Sequence, residues 1–419
     1  MSHKIIIPRL SCRFLGRDFR PSQETWMVPA GTAKLLFVSK QKNIPFNKPW
    51  VTGKELEFIA DAVKENKLSG DGRYTGRCHE FVRKEFGFNR ALLTSSCTDA
   101  LEMTALLLGF GPGDEVIMPS YTFVSTANAF MLRGATIRFA DSLPDHPNMD
   151  PASVADLVNP RTKAIIPVHY AGMACDMDAI AEIASASQAI IAEDAAHALG
   201  CHYRGKNLGS IGALGTFSFH ESKNISSGEG GMLVVNDERF FRRAEIIREK
   251  GTNRSEFFRG EAQLYNWMDI GSSFLPSDIT AAFLYAQLLD WETINADRLR
   301  SWNMYYDQLK DLENKYPVAV PKIPVGADHN GYMFYMVCDS GRTRDALIRF
   351  LNEKGINAVF HYQALHASPY FHDKYKGRQL PNAVRYTDCL VRLPLYCGME
   401  SEDVSRVCSE VTAFFSNNS

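Results

Sequence analysis

The sequence lacks the features that mark several specialised classes of protein. Its 419 residues carry a formal net charge of only −2, so no excess of positive charge would attract nucleic acid or an anionic membrane. No apolar run reaches the roughly 18 residues that a membrane-spanning helix needs. We therefore expect neither nucleic acid nor a membrane among its partners. The hydrophobic fraction of 45% and the charged fraction of 22% are typical of a globular enzyme.

Cysteine pairs are absent as well. Nine cysteines are scattered along the chain, and none forms a C-x-x-C pair. An odd number of scattered cysteines argues against a disulfide framework and against a zinc site, so we expect no metal and a reducing, cytoplasmic location. Residues 1–42 contain several basic side chains and an apolar patch that is too short for a signal peptide. We interpret them as an N-terminal extension outside the fold.

The common nucleotide and metalloprotease signatures are also missing. The chain contains no G-x-G-x-x-G, G-x-x-x-x-G-K-[ST] or H-E-x-x-H motif. Residues 209–215 have glycines three positions apart, but they precede a predicted strand and do not link a strand to a helix. They therefore do not predict a dinucleotide site, and a nicotinamide-dependent dehydrogenase is excluded.

What the sequence does contain is a long alternation of strand and helix patterns. Apolar runs and amphipathic segments alternate from about residue 91 to residue 235. Such alternation predicts a mainly parallel sheet with helices on both faces and a functional site at one rim. A helical pattern then runs from Ser277 past residue 310, and a second group of strands and helices follows. We predict a large domain over 43–290 and a smaller one over 291–419.

A lysine interrupts this alternation. The alternating run 216–219 is followed by Lys223, by the glycine-rich segment 228–231 and by a second apolar run. We interpret the pattern as a strand whose end presents Lys223, a tight loop and a return strand. A surface lysine is the commoner case at such a position, whereas a buried lysine is a nucleophile toward carbonyl groups.

Three other segments place polar or aromatic side chains at the ends of predicted strands. One strand ends in Glu193 and Asp194, with His197 shortly after, and these carboxylates either cap a turn or pair with a cationic nitrogen. Residues 94–98 open a helix, where their hydroxyl and N–H groups form either an ordinary N-cap or an anion site. Phe123 follows a further strand and belongs either to the core or against a planar ligand.

Together these segments supply the groups that pyridoxal phosphate requires. Its phosphate binds at a helix N-terminus, its ring stacks on an aromatic side chain, its pyridinium nitrogen pairs with a carboxylate, and its aldehyde reacts with a lysine. We therefore predict a pyridoxal-phosphate enzyme in which Lys223 and Asp194 are the catalytic residues.

The same motifs carry a resemblance to a known family. The runs 193–197, 217–224 and 228–231 resemble those of the DegT/DnrJ/EryC1/StrS nucleotide-sugar aminotransferases. The resemblance covers the chain from Ile44 to Phe415. It implies the aspartate-aminotransferase-like α/β fold, in which a large domain with a mainly parallel seven-stranded sheet is joined to a smaller α+β C-terminal domain.

The resemblance also implies a role for each matching residue. Lys223 matches the lysine that forms a Schiff base with the cofactor, Asp194 the partner of the pyridinium nitrogen, and Phe123 the aromatic residue stacked on the ring. Ser273 stands where the family commonly has an asparagine that reaches the phosphate of a neighbouring subunit, so a homodimer with shared active sites is implied. The other cofactor-binding positions, three at the phosphate and one near the ring, are Cys97, Thr98, Ser218 and His197.

Further runs narrow the implied reaction. Residues 168–172 and 249–254 resemble the branch that converts dTDP-4-keto-6-deoxy-D-glucose to dTDP-4-amino-4,6-dideoxy-D-galactose with L-glutamate as amino donor. That branch serves cell-surface polysaccharides such as lipopolysaccharide and enterobacterial common antigen. Candidates for contacts with the sugar or with a partner subunit are Tyr362, His366, Arg254 and Phe258.

Three alternatives stay open. An aminotransferase for another keto sugar or cyclitol differs only in its substrate. A pyridoxal-phosphate-dependent sugar dehydratase usually has histidine in place of the lysine, so Lys223 disfavours it. A regulatory protein would have no need of a lysine, a carboxylate and an aromatic residue together.

Overall fold

Two β-sheets organise residues 42–417, the part of the chain that the structure, a computed structural model, describes. The strands, with a two-stranded ribbon formed by β6 and β7, are β1 (Arg90–Thr94), β2 (Glu115–Pro119), β3 (Thr136–Ala140), β4 (Thr162–Ile165), β5 (Ile190–Asp194), β6 (His202–Tyr203), β7 (Lys206–Asn207), β8 (Leu214–Ser218), β9 (Gly231–Val235), β10 (Val318–Ala319), β11 (Phe334–Cys338), β12 (Val359–Phe360) and β13 (Leu390–Leu393).

Helices surround both sheets. The α-helices of the described residues are α1 (Glu55–Lys64), α2 (Arg73–Phe86), α3 (Cys97–Leu107), α4 (Val124–Met131), α5 (Pro151–Ala155), α6 (Met177–Ser187), α7 (Phe241–Arg248), α8 (Arg254–Phe258), α9 (Asp278–Leu288), α10 (Trp291–Leu309), α11 (Gly341–Glu353), α12 (Pro381–Cys389) and α13 (Ser401–Asn417).

The larger sheet has seven strands in the order β1-β9-β8-β5-β4-β2-β3. The neighbours from β8 to β3 pair in parallel, whereas β9 runs antiparallel to both β1 and β8. Parallel neighbours bring their C-terminal ends to one edge of the sheet. The predicted fold, a mainly parallel seven-stranded sheet in an α/β protein, is confirmed.

This sheet is buried on both faces, which explains its apolar strands. In β1, Leu92 packs into one hydrophobic cluster, while Ala91 and Leu93 pack into a cluster on the opposite face. Ile117 of β2 likewise belongs to the second cluster, although its neighbour Met118 belongs to the first. Successive side chains of a strand point to opposite faces, so strands covered by helices on both sides need apolar residues throughout.

The smaller sheet is antiparallel, with the order β10-β11-β13-β12. It shares a third hydrophobic cluster with residues of α10 and α13. The sequence predicts strands over 331–337 and 356–362 here, and both bounds were wrong, because β11 begins only at Phe334 and β12 covers only Val359–Phe360. Helix α12 and strand β13 were not predicted. Four-residue β13 follows α12 directly, so no turn signal separates them in the sequence.

Two helix predictions also need correction. The helical pattern that begins at Ser277 divides into α9 and α10, because Asp290 has a non-helical φ of −116°. Helix α4 was missed, since its eight residues contain no charged side chain to mark a polar face. The predicted domain boundary at 290/291 coincides with the break before α10, and it stays a prediction.

The start of the described chain belongs to the fold. Lys42, which we assigned to an N-terminal extension, contacts Glu400 at 2.7 Å and Asp403 of α13 at 2.9 Å. The rest of that predicted extension, residues 1–41, lies outside the described residues. Within residues 42–417 no helix combines the length and the apolar character needed to cross a membrane.

We expect Asp278 to be a principal stabilising residue of the helical layer. Its buried carboxylate accepts hydrogen bonds from Tyr74 N at 3.1 Å, Thr75 N at 2.8 Å and Thr75 Oγ1 at 2.8 Å, and so ties α9 to the N-terminus of α2. Asp278→Ala leaves these buried donors unpaired and should lower the free energy of unfolding by about 3 kcal/mol. Urea denaturation measures this loss. Asp150→Ala is the control, because it removes only an exposed helix cap and should lower the free energy of unfolding by about 1 kcal/mol or less.

Candidate active site

A cavity of about 780 Å³ lies where the ends of β5 and β8 meet the beginnings of α3 and α4. Residues of the smaller sheet, among them Phe360 and Arg392, line it from the other side. Ser273, which was assigned to the site of a partner subunit, is exposed and lies outside it. The predicted site residues that do line the cavity are Cys97, Thr98, Phe123, Asp194, His197, Ser218 and Lys223.

Lys223 lies in a loop, and the prediction that a strand end presents it was wrong. Strand β8 ends at Ser218, and the chain then turns before β9 begins. The turn is local, because Lys223 N donates to His220 O at 2.9 Å and Ser222 N donates to His220 Nδ1 at 3.2 Å. Lys223 is therefore presented by a hydrogen-bonded turn between two paired strands.

The amine of Lys223 contacts a tyrosine of the smaller-sheet region. Its Nζ donates to the hydroxyl of Tyr332 at 3.2 Å. Burial raises the pKa of Tyr332, but the positive charges of Lys223 and Arg392 act in the opposite direction and leave that pKa below its ordinary value. Tyr332 also stacks on His197, with ring centroids 4.4 Å apart.

Asp194 presents a buried carboxylate at the end of β5. Thr126 Oγ1 donates to Oδ2 at 2.8 Å, and Ala196 N donates to Oδ1 at 3.2 Å. Burial raises the pKa of Asp194, and the hydrogen bond from Thr126 and the charge of Lys223 partly offset that effect. A carboxylate held in this way favours a cationic partner.

The adjacent Glu193 has a structural role on the opposite side of the strand. Its carboxylate accepts hydrogen bonds from the N–H groups of Gly209, Ile211 and Gly212, each at 2.7 Å, and contacts His169 Nε2 at 2.9 Å. Because side chains alternate along a strand, Glu193 holds the 209–212 loop while Asp194 reaches the cavity. The glycine-rich loop 209–212 is thus hydrogen-bonded to β5 on the face opposite the cavity.

The N-terminus of α3 is suited to bind an anion. Ser96 caps the helix by accepting a hydrogen bond from Asp99 N at 3.0 Å, and the N–H groups of Cys97 and Thr98 in the first turn have no partner within the helix. Thr98 Oγ1 donates to Ser125 Oγ at 2.8 Å, so a second hydroxyl lies beside them. Free N–H groups and the helix dipole favour a phosphate at this position.

A glycine allows the sheet to approach this helix end. A Cβ atom built on Gly231, the first residue of β9, would lie 2.3 Å from the carbonyl carbon of Ser96 and 2.4 Å from Cys97 N. Both contacts are with backbone atoms that cannot move aside. The glycine-rich run after Lys223 is therefore needed for close packing of β9 against the anion site.

Two rings complete the cavity. Phe123, directly before α4, is 55% exposed, with its ring centroid 6.0 Å from that of Tyr362. His197 Nε2 is 3.2 Å from the hydroxyl of Tyr362, and its buried Nδ1 has no hydrogen-bond partner. Burial and the charge of Lys223 lower the pKa of His197 well below its ordinary value, so the ring is neutral.

These residues fit pyridoxal phosphate. The first turn of α3 and Ser218 suit a phosphate, the exposed face of Phe123 suits a planar ring, Asp194 suits a cationic ring nitrogen, and Lys223 suits an aldehyde. The unpaired Nδ1 of His197 adds a buried polar atom that a ligand would satisfy.

Of the four candidates for contacts with the sugar or with a partner subunit, only one lines the cavity. Tyr362 lines the cavity, as expected for a sugar contact. His366 does not, because its ring is buried and bonds through Nδ1 to Ser120 Oγ at 2.6 Å, so a sugar contact for His366 was wrong. Arg254 and Phe258 lie on α8 outside the cavity, and a partner contact for them stays a prediction.

Sequence reasoning missed three residues of the site. Thr126 lies on the unpredicted helix α4, and Arg392 lies on the unpredicted strand β13. Tyr332 precedes β11 in a run that we interpreted as an apolar strand. For Arg392, an arginine inside the apolar run 390–395 was the available signal.

The arrangement of a lysine, a carboxylate, an aromatic face and a helix N-terminus in one α/β cavity is typical of pyridoxal-phosphate enzymes. The model of the DegT/DnrJ/EryC1/StrS aminotransferase family matches residues 51–412, and the chain belongs to this family.

Solved structures are similar over most of both chains. The aminotransferase TlmJ from Streptoalloteichus hindustanus is 28% identical with a TM-score of 0.82, covering 90% of this chain and 100% of TlmJ. PseC from Helicobacter pylori, an aminotransferase involved in pseudaminic acid biosynthesis, is 23% identical with a TM-score of 0.83, covering 90% and 100%. Spr1654 from Streptococcus pneumoniae, described as a sugar aminotransferase and solved in its PLP form, is 23% identical with a TM-score of 0.81, covering 90% and 99%.

We expect Tyr332 to ionise at a lower pH than an ordinary tyrosine, whose pKa is about 10. A titration of the ultraviolet absorbance of tyrosinate should therefore show an early step that is absent from Tyr332→Phe. Lys223→Ala should move this step to higher pH, because it removes a stabilising positive charge. Tyr335→Phe is the control, since burial raises the pKa of Tyr335 well above its ordinary value and the early step should remain.

Proposed function

We propose that this chain uses pyridoxal phosphate to transfer the amino group of L-glutamate to C4 of dTDP-4-keto-6-deoxy-D-glucose, giving dTDP-4-amino-4,6-dideoxy-D-galactose. The observation that carries the proposal is the presence of Lys223, Asp194 and the N-terminus of α3 in one cavity. Membership of the aminotransferase family supports the reaction type. The resemblance of residues 168–172 and 249–254 to one branch of that family supports the sugar.

The cofactor supplies an electron sink that stabilises negative charge on the carbon bonded to nitrogen. Lys223 provides the proton transfers. Its Nζ accepts a proton from the α-carbon of the amino donor and returns one to the cofactor side, and in the second half-reaction it delivers a proton to C4 of the sugar. The hydrogen bond to Tyr332 at 3.2 Å holds the amine in the cavity during these steps.

Asp194 keeps the electron sink effective. Its carboxylate is oriented by Thr126 and by Ala196 N, so it faces the cavity with a fixed geometry. Burial raises its pKa when it has no cationic partner, and a cationic ring nitrogen would lower it again. The carboxylate and the ring nitrogen then stabilise each other's charged forms.

The cavity also has room for a sugar substrate. Its volume of about 780 Å³ lies in the upper part of the range for small-molecule sites. Tyr362, His361 and Phe360 line the cavity and offer hydroxyl, imidazole and apolar surface to a sugar ring. An aminotransferase for another nucleotide-linked keto sugar is the alternative, and Lys223 continues to disfavour a dehydratase.

We further propose a homodimer. The segment 257–270 exposes a series of large apolar side chains directly before Ser273, the residue that the family resemblance assigns to the neighbouring site. Apolar surface of this extent favours burial against another protein, and a second copy also brings Ser273 to a cavity. Its most exposed members are Phe258, Leu264, Tyr265 and Trp267.

We expect Lys223→Ala to abolish turnover and to leave no cofactor attached to the protein after borohydride treatment, as measured by peptide mass spectrometry. The exposed Lys206→Ala is the control and should keep both properties. Retained turnover in Lys223→Ala would remove the lysine from the reaction.

Asp194→Asn should lower kcat in both half-reactions by about 10- to 100-fold, because a neutral amide cannot stabilise a cationic ring nitrogen. Asp373→Asn, at an exposed carboxylate, is the control. Near-normal turnover of the Asp194 variant would contradict its assignment.

The substrate is tested with a panel of nucleotide keto-sugars and glutamate, with the configuration at C4 determined by NMR.

We expect sedimentation to give twice the monomer mass of 47.0 kDa. The double variant Leu264→Glu, Trp267→Glu should sediment as a monomer with reduced activity, because charged side chains cannot be buried in an apolar interface. Val325→Glu, at an exposed valine elsewhere, should leave the dimer intact. A monomeric wild-type protein would contradict the homodimer.

A further inference from the structure

The proton transfers proposed for Lys223 require a neutral amine. An ordinary lysine, with a pKa of about 10.4, is positively charged at neutral pH and cannot accept a proton in that form. A neighbouring base therefore has to take up one proton whenever Lys223 acts as a free amine. Tyr332 is the residue whose position suits this task.

The hydroxyl of Tyr332 contacts the amine directly. It lies 3.2 Å from Lys223 Nζ, and the amine also lies over the tyrosine ring, 4.9 Å from its centroid. Within residues 42–417, Lys223 Nζ has no other hydrogen-bond partner and no carboxylate at ion-pair distance. A proton can therefore pass between this nitrogen and this oxygen without an intervening group.

Tyr332 differs from the other tyrosines beside the cavity. Four of them are in ring contact through one member of the group, and burial raises the pKa of each above its ordinary value: Tyr121, Tyr170, Tyr335 and Tyr362. Burial also acts to raise the pKa of Tyr332, but the charges of Lys223 and Arg392 outweigh it. Tyr332 is therefore the tyrosine of this region that ionises most readily.

The ring of Tyr332 is held in place by its neighbours. It stacks on His197, with the ring centroids 4.4 Å apart. Its backbone is fixed as well, because Tyr332 N donates to Asn330 Oδ1 at 3.1 Å and Arg298 Nη2 donates to Tyr332 O at 2.7 Å. The hydroxyl is thus positioned by contacts on both the ring and the backbone.

A pair of buried asparagines joins the lysine loop to the segment that carries Tyr332. Asn224, the residue after Lys223, donates through Nδ2 to Asn330 O at 2.8 Å. Asn330 in turn donates through Nδ2 to His197 O at 2.9 Å. The approach of Lys223 to Tyr332 is therefore maintained by hydrogen bonds that do not use their own side chains.

We propose that Tyr332 is a catalytic residue that exchanges a proton with Lys223. The phenolate oxygen accepts a proton from the ammonium group, so that an N–H bond breaks and an O–H bond forms, and the reverse transfer restores both ions. The pair has no net charge before or after the transfer, so no proton has to leave the buried site. The inference rests on the proposed aminotransferase function and adds a second acid–base residue to it.

The charged and titratable groups that face Tyr332 come from several elements. They are Lys223 in the loop after β8, Tyr170 after β4, His197 after β5, Arg298 on α10, Tyr362 after β12 and Arg392 on β13. The two tyrosines and the histidine are neutral, because burial raises the pKa of the former and lowers that of the latter. The positive charges of Lys223 and Arg392 therefore favour the phenolate of Tyr332.

The main test is Tyr332→3,5-difluorotyrosine, which keeps the ring and the hydroxyl but ionises at lower pH. Holoenzyme that has already received the amino group of glutamate is mixed with the keto sugar, and cofactor absorbance is followed as a function of pH. Because a less basic phenolate loses its proton at lower pH, the acid limb of kcat/KM for the keto sugar should move to lower pH.

The same replacement at the exposed Tyr370 is the matched control and should leave the pH profile unchanged. A hydroxyl of Tyr332 that only held the amine in place would leave the acid limb where it is in the wild type. That outcome would overturn the proposal.

Tyr332→Phe removes the proton acceptor and keeps the ring. Its kcat at neutral pH should fall by about 100-fold, the size of a general acid–base contribution. The loss should shrink as the pH rises, because hydroxide then removes the proton from the amine. An equal loss at every pH would assign Tyr332 to support of the lysine alone and contradict the proton exchange.

Fluorine NMR supplies a measurement without turnover. In the difluorotyrosine enzyme the fluorine resonance reports the protonation of the hydroxyl, and its titration step should fall at the same pH as the acid limb of that enzyme, since one shared proton determines both. A step at a clearly different pH would refute the exchange. The fluorinated protein keeps the hydroxyl and the ring of Tyr332, so it decides the question if circular dichroism shows that Tyr332→Phe is not folded.

Failure of the proposed function has a separate signature. If glutamate does not change the cofactor absorbance of the wild-type holoenzyme, the aminotransferase function fails and the inference fails with it. If the wild type reacts and the acid limb does not move in the fluorinated enzyme, only the role of Tyr332 is refuted.

Discussion

The parallel pairing of β5 with β8 is the constraint on which the site depends. The charge of Lys223 helps to offset the effect of burial on the pKa of Asp194. Asp194 and Lys223 both line the cavity because β5 and β8 are parallel neighbours, with Asp194 paired to Thr216. A shift of one residue in this register would turn Asp194 away from the cavity and bring Glu193 toward it.

The strand pairing also assigns different tasks to two adjacent carboxylates. Glu193 binds three backbone N–H groups of the 209–212 loop, whereas Asp194 accepts from Thr126 and faces the cavity. One carboxylate of the acidic pair therefore supports the strand, and the other is directed into the cavity. On the other side of β8, Gly231 lets β9 approach the N-terminus of α3, which keeps the anion site next to the lysine loop.

The smaller sheet completes the site from the opposite side. It brings Tyr332 to Lys223 and places Arg392 and Tyr362 along the cavity. Arg298 of α10 holds this region through backbone carbonyl groups of residues 331, 332 and 395. The positions of these groups relative to the lysine thus follow from packing between elements that are distant in sequence.

The sequence by itself determined the α/β class and the mainly parallel sheet, because apolar periodicity and turn residues are local signals. The family resemblance pointed to Lys223, Asp194, Phe123 and Cys97, which the structure brings to one cavity. It did not reveal α4 or β13, whose short segments have no distinctive periodicity, and it misplaced Lys223 on a strand. Tertiary structure alone decided the partners of these residues, among them Thr126 for Asp194 and Tyr332 for Lys223. Thr126 and Asp194 are separated by 68 positions in the sequence, and Lys223 and Tyr332 by 109. Such contacts depend on strand order and helix packing, which local sequence patterns do not encode.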